Sequence, residues 1–193
     1  MSTAPRILAF AGSARSGSFN KRLVAVAAAG ARAAGAEVTL IDLRDFPLPL
    51  YDGDLEERDG LPAQARTLKD LFLANRGLLI SAPEYNSSIT PLLKNTIDWV
   101  SRPVAGETPL NCFDGKVAAL MSASPGALGG LRGLVHVRAI LQNIRVLTIP
   151  EQVAVPNAAE AFTPDDSLRD AKQHAAVQGC GAALARTISK LSS

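Results

Sequence analysis

Five short apolar segments, separated by helical patterns, constrain the fold of this chain more than any other feature of its sequence. They lie at 6–11, 37–42, 77–82, 117–121 and 145–153. Each has the length and composition of a strand that is buried on both faces. Strands that alternate with helices, without an internal repeat, are typical of a parallel sheet covered by helices on both sides. We therefore predict a doubly wound five-stranded α/β fold with the strand order 2-1-3-4-5.

Apolar periodicity and end signals place the helices between these strands. Thr90 is a helix-capping residue and is followed by Pro91, so the pair predicts a helix whose first residue is Pro91. The segment 163–166 (TPDD) combines a cap, a proline and two acidic residues, and predicts the start of the last helix. Apolar residues recur on one face of two further helices: Phe19, Leu23, Val26 and Ala27 in the first, and Leu131, Leu134, Val135 and Leu141 in the fourth.

Length and charge limit the class of protein. A chain of 193 residues is long enough for one sizeable core, so we expect a single domain spanning 1–193. Its formal net charge of +2 gives no field suited to nucleic acid or to an anionic membrane. The sequence has no leader pattern and no apolar run near the ~20 residues of a membrane helix, which predicts a soluble cytoplasmic protein. Cys112 and Cys180 are isolated, so we expect buried thiols and no metal site.

The segment GSARSGSFN at 12–20 lies between the first strand and the first helix. The first amides of a helix lack intrahelical partners and lie at the positive end of its dipole, so a turn rich in glycine and serine there suits an anion. The segment matches neither G-x-x-x-x-G-K-[ST] nor G-x-G-x-x-G. Ser13, Arg15, Ser18 and Asn20 instead offer donors that suit a terminal phosphomonoester. The alternative is a surface turn that only caps the helix.

Two more loops support the binding interpretation. PEYNSS follows the third strand and SASPGALGG follows the fourth. In the predicted order, strands 1, 3 and 4 are neighbours, and ligands of such folds lie outside the carboxyl ends of the strands where the order reverses. The three loops are therefore expected to converge on one site.

The segments GSARSGSFN and APEYNSSITPLLKNTIDWVSR (82–102) resemble the NADPH-dependent FMN reductase family of the flavodoxin superfamily, and SASPGALGGLR (122–132) resembles its third flavin loop. The resemblance runs from the first strand to the end of the fifth. It implies a flavodoxin-like fold and bound FMN. The residues it assigns to the phosphate are Ser13, Arg15, Ser18, Phe19 and Asn20. The residues it assigns to the isoalloxazine ring are Pro83, Glu84, Tyr85, Asn86 and Ser87. The residues it assigns to the other edge of this ring and to the ribityl chain are Ser122, Ala123, Ser124 and Gly126. Pro125 departs from the family pattern.

The resemblance also implies an activity. FMN would take two electrons from NADPH or NADH and pass them to a quinone, free flavin, an azo compound or chromate. We predict a ping-pong mechanism, because one face of the flavin should rest on the three loops and both substrates then need the other. The flavin itself accepts the hydride, so we expect no catalytic side chain. His136 and His174 are expected to lie away from the three loops. The alternative is a flavodoxin-like electron carrier or a flavin-dependent interaction module without turnover, which the nearly neutral charge disfavours.

The segment 43–62, about 20 residues without periodicity, is long for a loop inside a compact domain. Its apolar side chains, Phe46, Leu48, Leu50 and Tyr51, predict a subunit interface. In similar reductases this segment reaches the neighbouring subunit's flavin, so Tyr51 and Tyr85 would border the substrate face. We expect a homodimer or a dimer of dimers, with Arg132 and Glu151 paired across a second contact. The alternative is a disordered surface loop.

Overall fold

A computed structural model describes residues 4–191, which contain a five-stranded parallel sheet. Its strands are β1 (Arg6–Ala11), β2 (Glu37–Asp42), β3 (Gly77–Ser81), β6 (Val117–Ala123) and β7 (Leu147–Val155), and a hairpin of β4 (Glu84–Tyr85) and β5 (Ser88–Ile89) follows β3. The order in the sheet is β2-β1-β3-β6-β7. This is the order 2-1-3-4-5, so the predicted doubly wound, flavodoxin-like fold is confirmed.

The helices are α1 (Phe19–Ala33), α2 (Gly53–Asp59), α3 (Ala63–Ala74), α4 (Pro91–Ser101), α5 (Leu131–Asn143), α6 (Ala158–Ala161) and α7 (Ala171–Leu191), and a 3-10 turn lies at Leu43–Asp45. The central strands β3 and β6 are wholly buried, as continuous apolar runs predict. One core lies between the sheet and α1 and α7, and the other lies on the opposite face beneath α3, α4 and α5. Within residues 4–191, no helix has both the length and the apolar character that a membrane crossing requires.

Helices α1 and α7 pack backbone against backbone. A Cβ atom at Gly30 would collide with the carbonyl oxygen of Gln178, and a Cβ atom at Gly181 would collide with that of Ala27. Both positions therefore need glycine because of the close approach, not because of their dihedral angles. The contact joins the helix that follows the first loop to the last helix described.

Two helix predictions were wrong in part. The last helix begins at Ala171, not at Thr163, because the residues that follow Thr163 form a turn. An isolated bridge between Phe162 and Leu168 closes this turn, and Arg22 of α1 donates to the Thr163 carbonyl. In α5, Val135 is 61% exposed and Leu131 is 43% exposed, so both lie outside the core face that the periodicity assigned to them.

The segment 43–62 is folded, and the alternative of a disordered surface loop is wrong. It contains the 3-10 turn and α2, and Phe46 and Leu48 pack against the core of the same chain. Trp99 of α4, fully buried, donates from Nε1 to the Pro49 carbonyl at 2.8 Å. These apolar residues therefore need no second subunit for their burial, whereas Leu50 remains 79% exposed.

Candidate functional site

The loops after β1, β3 and β6 meet at the carboxyl end of the sheet around one cleft of about 70 Å³, hereafter the cleft. It is lined by Ser13, Arg15, Ser18, Phe19, Asn20, Pro83, Glu84, Tyr85, Ala123, Ser124 and Pro125. The expected convergence of the three loops is therefore present. Four residues predicted for the flavin do not line the cleft: Asn86, Ser87, Ser122 and Gly126.

The amino terminus of α1 forms one wall of the cleft and carries the features of an anion site. Its N-cap residue, Ser18, makes no side-chain capping bond, and no acidic residue lies in the first turn. The Arg15 guanidinium forms no hydrogen bond or ion pair with any other residue in 4–191, and the Arg15 amide donates to Ser13 Oγ at 3.4 Å. The first turn of α1, at the positive end of the helix dipole, thus carries no acidic side chain of its own.

Asn20 lines the cleft, and its side chain bonds chiefly to the protein itself. It is 4% exposed, and its Nδ2 donates to the Ala123 carbonyl at 2.8 Å. Its Oδ1 accepts from Ser81 Oγ at 2.8 Å and from the Ala123 amide at 3.0 Å. The carboxamide therefore ties α1 to the ends of β3 and β6 through three hydrogen bonds, which occupy both acceptor positions of Oδ1 and one of the two hydrogens of Nδ2.

The loop after β3 is a tight β-hairpin, which the sequence did not predict. Tyr85 pairs with Ser88, and the two turn residues, Asn86 and Ser87, have φ values of 49° and 66°. Two positive φ values in a two-residue turn are the pattern of a type I′ hairpin, and residues other than glycine adopt it rarely. The turn holds Tyr85, 50% exposed, at the rim of the cleft.

Glu84 anchors the hairpin to α5. Its carboxylate accepts from Arg132 Nη2 at 2.6 Å and from the Gly133 amide at 2.9 Å. Burial alone would raise the pKa of Glu84, but the bonds from Gly133 and Arg132 outweigh it and lower the pKa below its ordinary value. Arg132, predicted to pair with Glu151 across subunits, thus has an acidic partner in its own chain.

The loop after β6 contributes less polar surface than predicted. Ser122 is fully buried, and its hydroxyl faces Gly130, which has a φ of 88°. Burial therefore excludes the Ser122 side chain from direct contact with a ligand. The Ser124 amide donates to the Val155 carbonyl, and the Gly126 amide donates to Ser124 Oγ. These two amides, on either side of Pro125, are therefore engaged within the protein.

Two residues that position the first loop gave no signal of that role in the sequence. Arg44 donates from both Nε and Nη2 to the Ala14 carbonyl, at 2.9 and 2.6 Å. Thr90 caps α4 as predicted, by accepting from the Leu93 amide at 3.1 Å, and its hydroxyl also donates to the Gly12 carbonyl at 2.7 Å. Both anchors connect the loop to segments distant in sequence.

His136 lies closer to the site than predicted. Its Nδ1 is 2.9 Å from Ser88 Oγ, in the hairpin that follows β3. His174 accepts from the Leu168 amide at 3.3 Å, outside the three loops. Among the described residues, no group of three or more histidine, cysteine or acidic side chains could hold a metal ion.

Tyr51 does not line the cleft of its own chain. Its hydroxyl donates to Glu56 Oε2 at 2.9 Å, and its ring packs edge-on against Trp99 with the centroids 5.1 Å apart. Arg102 donates to the same Glu56 carboxylate at 2.8 Å. These contacts fix Tyr51 against Trp99 of α4.

The doubly wound sheet and the three loops that converge at its carboxyl end define a flavodoxin-like protein. The model of the family described as NADPH-dependent FMN reductase matches residues 5–160. The chain belongs to this family, which confirms the resemblance inferred from the sequence.

Individual relatives agree with this assignment. An NAD(P)H-dependent FMN reductase of Pseudomonas aeruginosa is 35% identical over 180 residues, which cover 92% of each protein. A quinone reductase of Escherichia coli strain K12 is 35% identical over 141 residues, or 73% of this chain and 71% of that protein. FerB of Paracoccus denitrificans, a flavoenzyme NAD(P)H:(acceptor) oxidoreductase, has a TM-score of 0.81 at 28% identity, over 96% of this chain and 98% of that one.

Proposed function

We propose that this chain is an FMN-dependent NAD(P)H oxidoreductase that transfers two electrons from NADPH or NADH to a small acceptor. The observation that carries the proposal is the cleft at the carboxyl ends of β1, β3 and β6, with the acid-free amino terminus of α1 in its wall. Family membership and the activities for which the relatives are named support the same conclusion.

The residues of the cleft fit the phosphate of FMN. Arg15 provides an exposed guanidinium without a protein partner in 4–191, and Ser18 has a hydroxyl that caps no amide of α1. Together with the first amides of α1, these donors suit a terminal phosphate monoester. The cleft, at about 70 Å³, encloses room for the phosphate end of such a ligand and leaves the hairpin surface for its ring.

The bound flavin supplies hydride acceptance and release. The chain itself orients and exposes the ligand. The type I′ turn at Asn86 and Ser87, anchored through Glu84 to α5, presents a fixed backbone edge beside the cleft. Tyr85 borders the remaining open side. With one open side, nicotinamide and acceptor would occupy the same place in turn, and we propose a ping-pong order.

The acceptor and the assembly are further parts of the proposal. A relative named as a quinone reductase favours a quinone, and free flavin, azo compounds and chromate are additional candidates. We propose a cytoplasmic single-domain chain that forms a homodimer or a dimer of dimers. The exposed Leu50, beside Tyr51, favours an interface along the segment 43–62.

The binding of FMN is tested with Arg15→Ala, and Arg186→Ala, which removes an exposed arginine of α7, is the matched control. Loss of hydrogen bonds to a charged group costs roughly 1.5 to 3 kcal/mol, so the Kd for FMN should rise about 10- to 150-fold in the first variant only. Unchanged affinity in folded Arg15→Ala protein would contradict the phosphate assignment. Cofactor released from the wild type should chromatograph as FMN, and FAD would contradict the proposed cofactor.

Steady-state kinetics test the order of substrates. Initial rates against NADPH at several fixed quinone concentrations should give parallel lines in a reciprocal plot, with high quinone competing against NADPH. Intersecting lines would require both substrates to bind at once and would exclude a shared open side.

A further inference from the structure

A second cavity lies at the opposite end of the sheet from the cleft. It has a volume of about 410 Å³, within the range of roughly 300 to 1,000 Å³ typical of small-molecule sites. It opens beside the amino ends of β1, β3 and β6 and the carboxyl ends of α3 and α7, and we name it the amino-end cavity. Its lining includes Arg6, Asn75, Arg76, Asp114, Lys116 and Ser189.

Three cationic side chains line this cavity. Arg6 and Arg76 are exposed, and neither guanidinium forms a hydrogen bond or ion pair within residues 4–191. Lys116 is only 6% exposed, and its Nζ donates to the Asn75 carbonyl at 2.5 Å. Burial lowers the pKa of Lys116 to about 8, and the charge of Arg76 acts in the same direction.

The acidic residue that lines the cavity, Asp114, forms no ion pair with these three cations within the described residues. Asp114 accepts from Arg145 at 3.3 Å, and Arg145 does not line the cavity. Lys116 forms no ion pair within the described residues, and its ammonium has donor capacity beyond its one bond to Asn75. A buried cation beside another cation is unfavourable, and an anion placed between them would offset that cost.

A purely structural role accounts for only part of this arrangement. Asn75 is the C-cap residue of α3, so Lys116 also satisfies a carbonyl at the negative end of that helix dipole. This role does not explain why Arg6 and Arg76 lie over the same cavity without protein partners in 4–191. Two guanidinium forks and an ammonium group are the donor set that proteins use for phosphate.

We propose that the amino-end cavity binds a small phosphate-bearing dianion, separate from the ligand of the cleft, with Lys116 at its floor and Arg76 and Arg6 at its rim. The proposal does not depend on the proposed reductase activity, because the two sites lie at opposite ends of the sheet. The dianion is either inorganic phosphate or an organic phosphate monoester.

The test uses the full chain saturated with FMN, so that the cleft is filled. Titration calorimetry with inorganic phosphate and, separately, with phenyl phosphate should give one additional site per chain. Arg76→Gln and Lys116→Met should each raise the Kd about tenfold or more, whereas Lys172→Met, at the far end of α7, should change it less than about twofold. Tighter binding of phenyl phosphate would identify an organic monoester, and equal or weaker binding would identify free phosphate.

Chemical protection gives an independent measurement on the wild type. Acylation of Lys116 by a water-soluble active ester, quantified by peptide mass spectrometry, should be slowed by the bound dianion, while acylation of the exposed Lys172 should not change. No binding of either probe at millimolar concentrations, or equal binding by wild type and Arg76→Gln, would overturn the proposal. Because Arg76 is exposed, its variant is expected to fold even where Lys116→Met does not.

Discussion

Substitution of Asn20 by alanine should destabilise the protein itself, although the sequence places this residue in a ligand-binding loop. The change removes three buried hydrogen bonds, one to the Ala123 carbonyl, one from the Ala123 amide and one from Ser81. Each bond contributes about 0.5 to 1.5 kcal/mol net, and each group left unpaired and buried costs about 1 to 3 kcal/mol. Water entering from the adjacent cleft reduces the second cost, so we expect a loss of about 3 kcal/mol.

The measurement is urea unfolding of flavin-free and FMN-saturated protein, followed by circular dichroism. Asn143→Ala is the matched control, because Asn143 is exposed at the end of α5 and its side chain makes no hydrogen bond within 4–191. Its free energy of unfolding should change by less than about 0.5 kcal/mol. Ser81→Ala combined with Asn20→Ala should cost about 1 kcal/mol less than the sum of the single changes, because the second change removes a hydroxyl that the first leaves unpaired.

A different outcome would show that Asn20 acts on the ligand. If Asn20→Ala leaves the flavin-free protein as stable as the wild type, within about 0.5 kcal/mol, and weakens only FMN binding, the carboxamide acts on the phosphate. The bonds to Ala123 and Ser81 would then carry no net stability.

Two further predictions concern stability. Glu107 accepts from Lys69 and from Arg66, both at 2.9 Å, and the Lys69 ammonium is the main cause that lowers the pKa of Glu107 from 4.5 to about 2. Because the pKa of Glu107 is lower in the folded than in the unfolded protein, this stabilisation is present above about pH 5 and is lost as the pH falls toward 2. Glu107→Gln should lower the free energy of unfolding in urea by about 2 to 3 kcal/mol at pH 7, and should flatten its dependence on pH between about 5 and 2. Gly130→Ala should lower the melting temperature, because Gly130 has a φ of 88° and an added Cβ atom would meet Ser122 Oγ and lie 2.8 Å from Ser122 Cβ. Adding Ser122→Gly should recover part of the loss, and no recovery would show that backbone strain alone sets the cost.

The sequence predicted the sheet and the location of the site because both depend on local patterns. Continuous apolar runs identified β1, β3 and β6, and Thr90 with Pro91 fixed the start of α4. The strand order then brought three loops together without any knowledge of side-chain direction. The start of the last helix was misjudged because Arg22, from the other end of the chain, holds the Thr163 segment in a non-helical conformation. A local cap signal cannot report such a contact.

Individual roles within the site were less predictable. Asn20 and Ser18 are both small polar residues at the start of α1. The Asn20 side chain bonds inward to β6, whereas the Ser18 side chain makes no capping bond to the helix. That difference depends on the position of Ala123, which is 103 residues away from Asn20. The hairpin after β3 has strands of only two residues, too short for an alternation pattern. Its turn residues, Asn86 and Ser87, lack the glycine that commonly marks a type I′ turn.

The glycine contact between α1 and α7 has a consequence for biosynthesis. Because Gly30 meets the backbone of Gln178, the helix that carries the candidate phosphate site cannot complete its packing until α7 has been translated. The nascent polypeptide must therefore carry an unfinished apolar face on α1 while most of the remaining sheet is made. Contacts between such distant parts of a chain slow folding and leave apolar surface available to chaperones or to aggregation. A larger side chain at Gly30 or Gly181 is accordingly expected to reduce the yield of protein that acquires its cofactor in the cell.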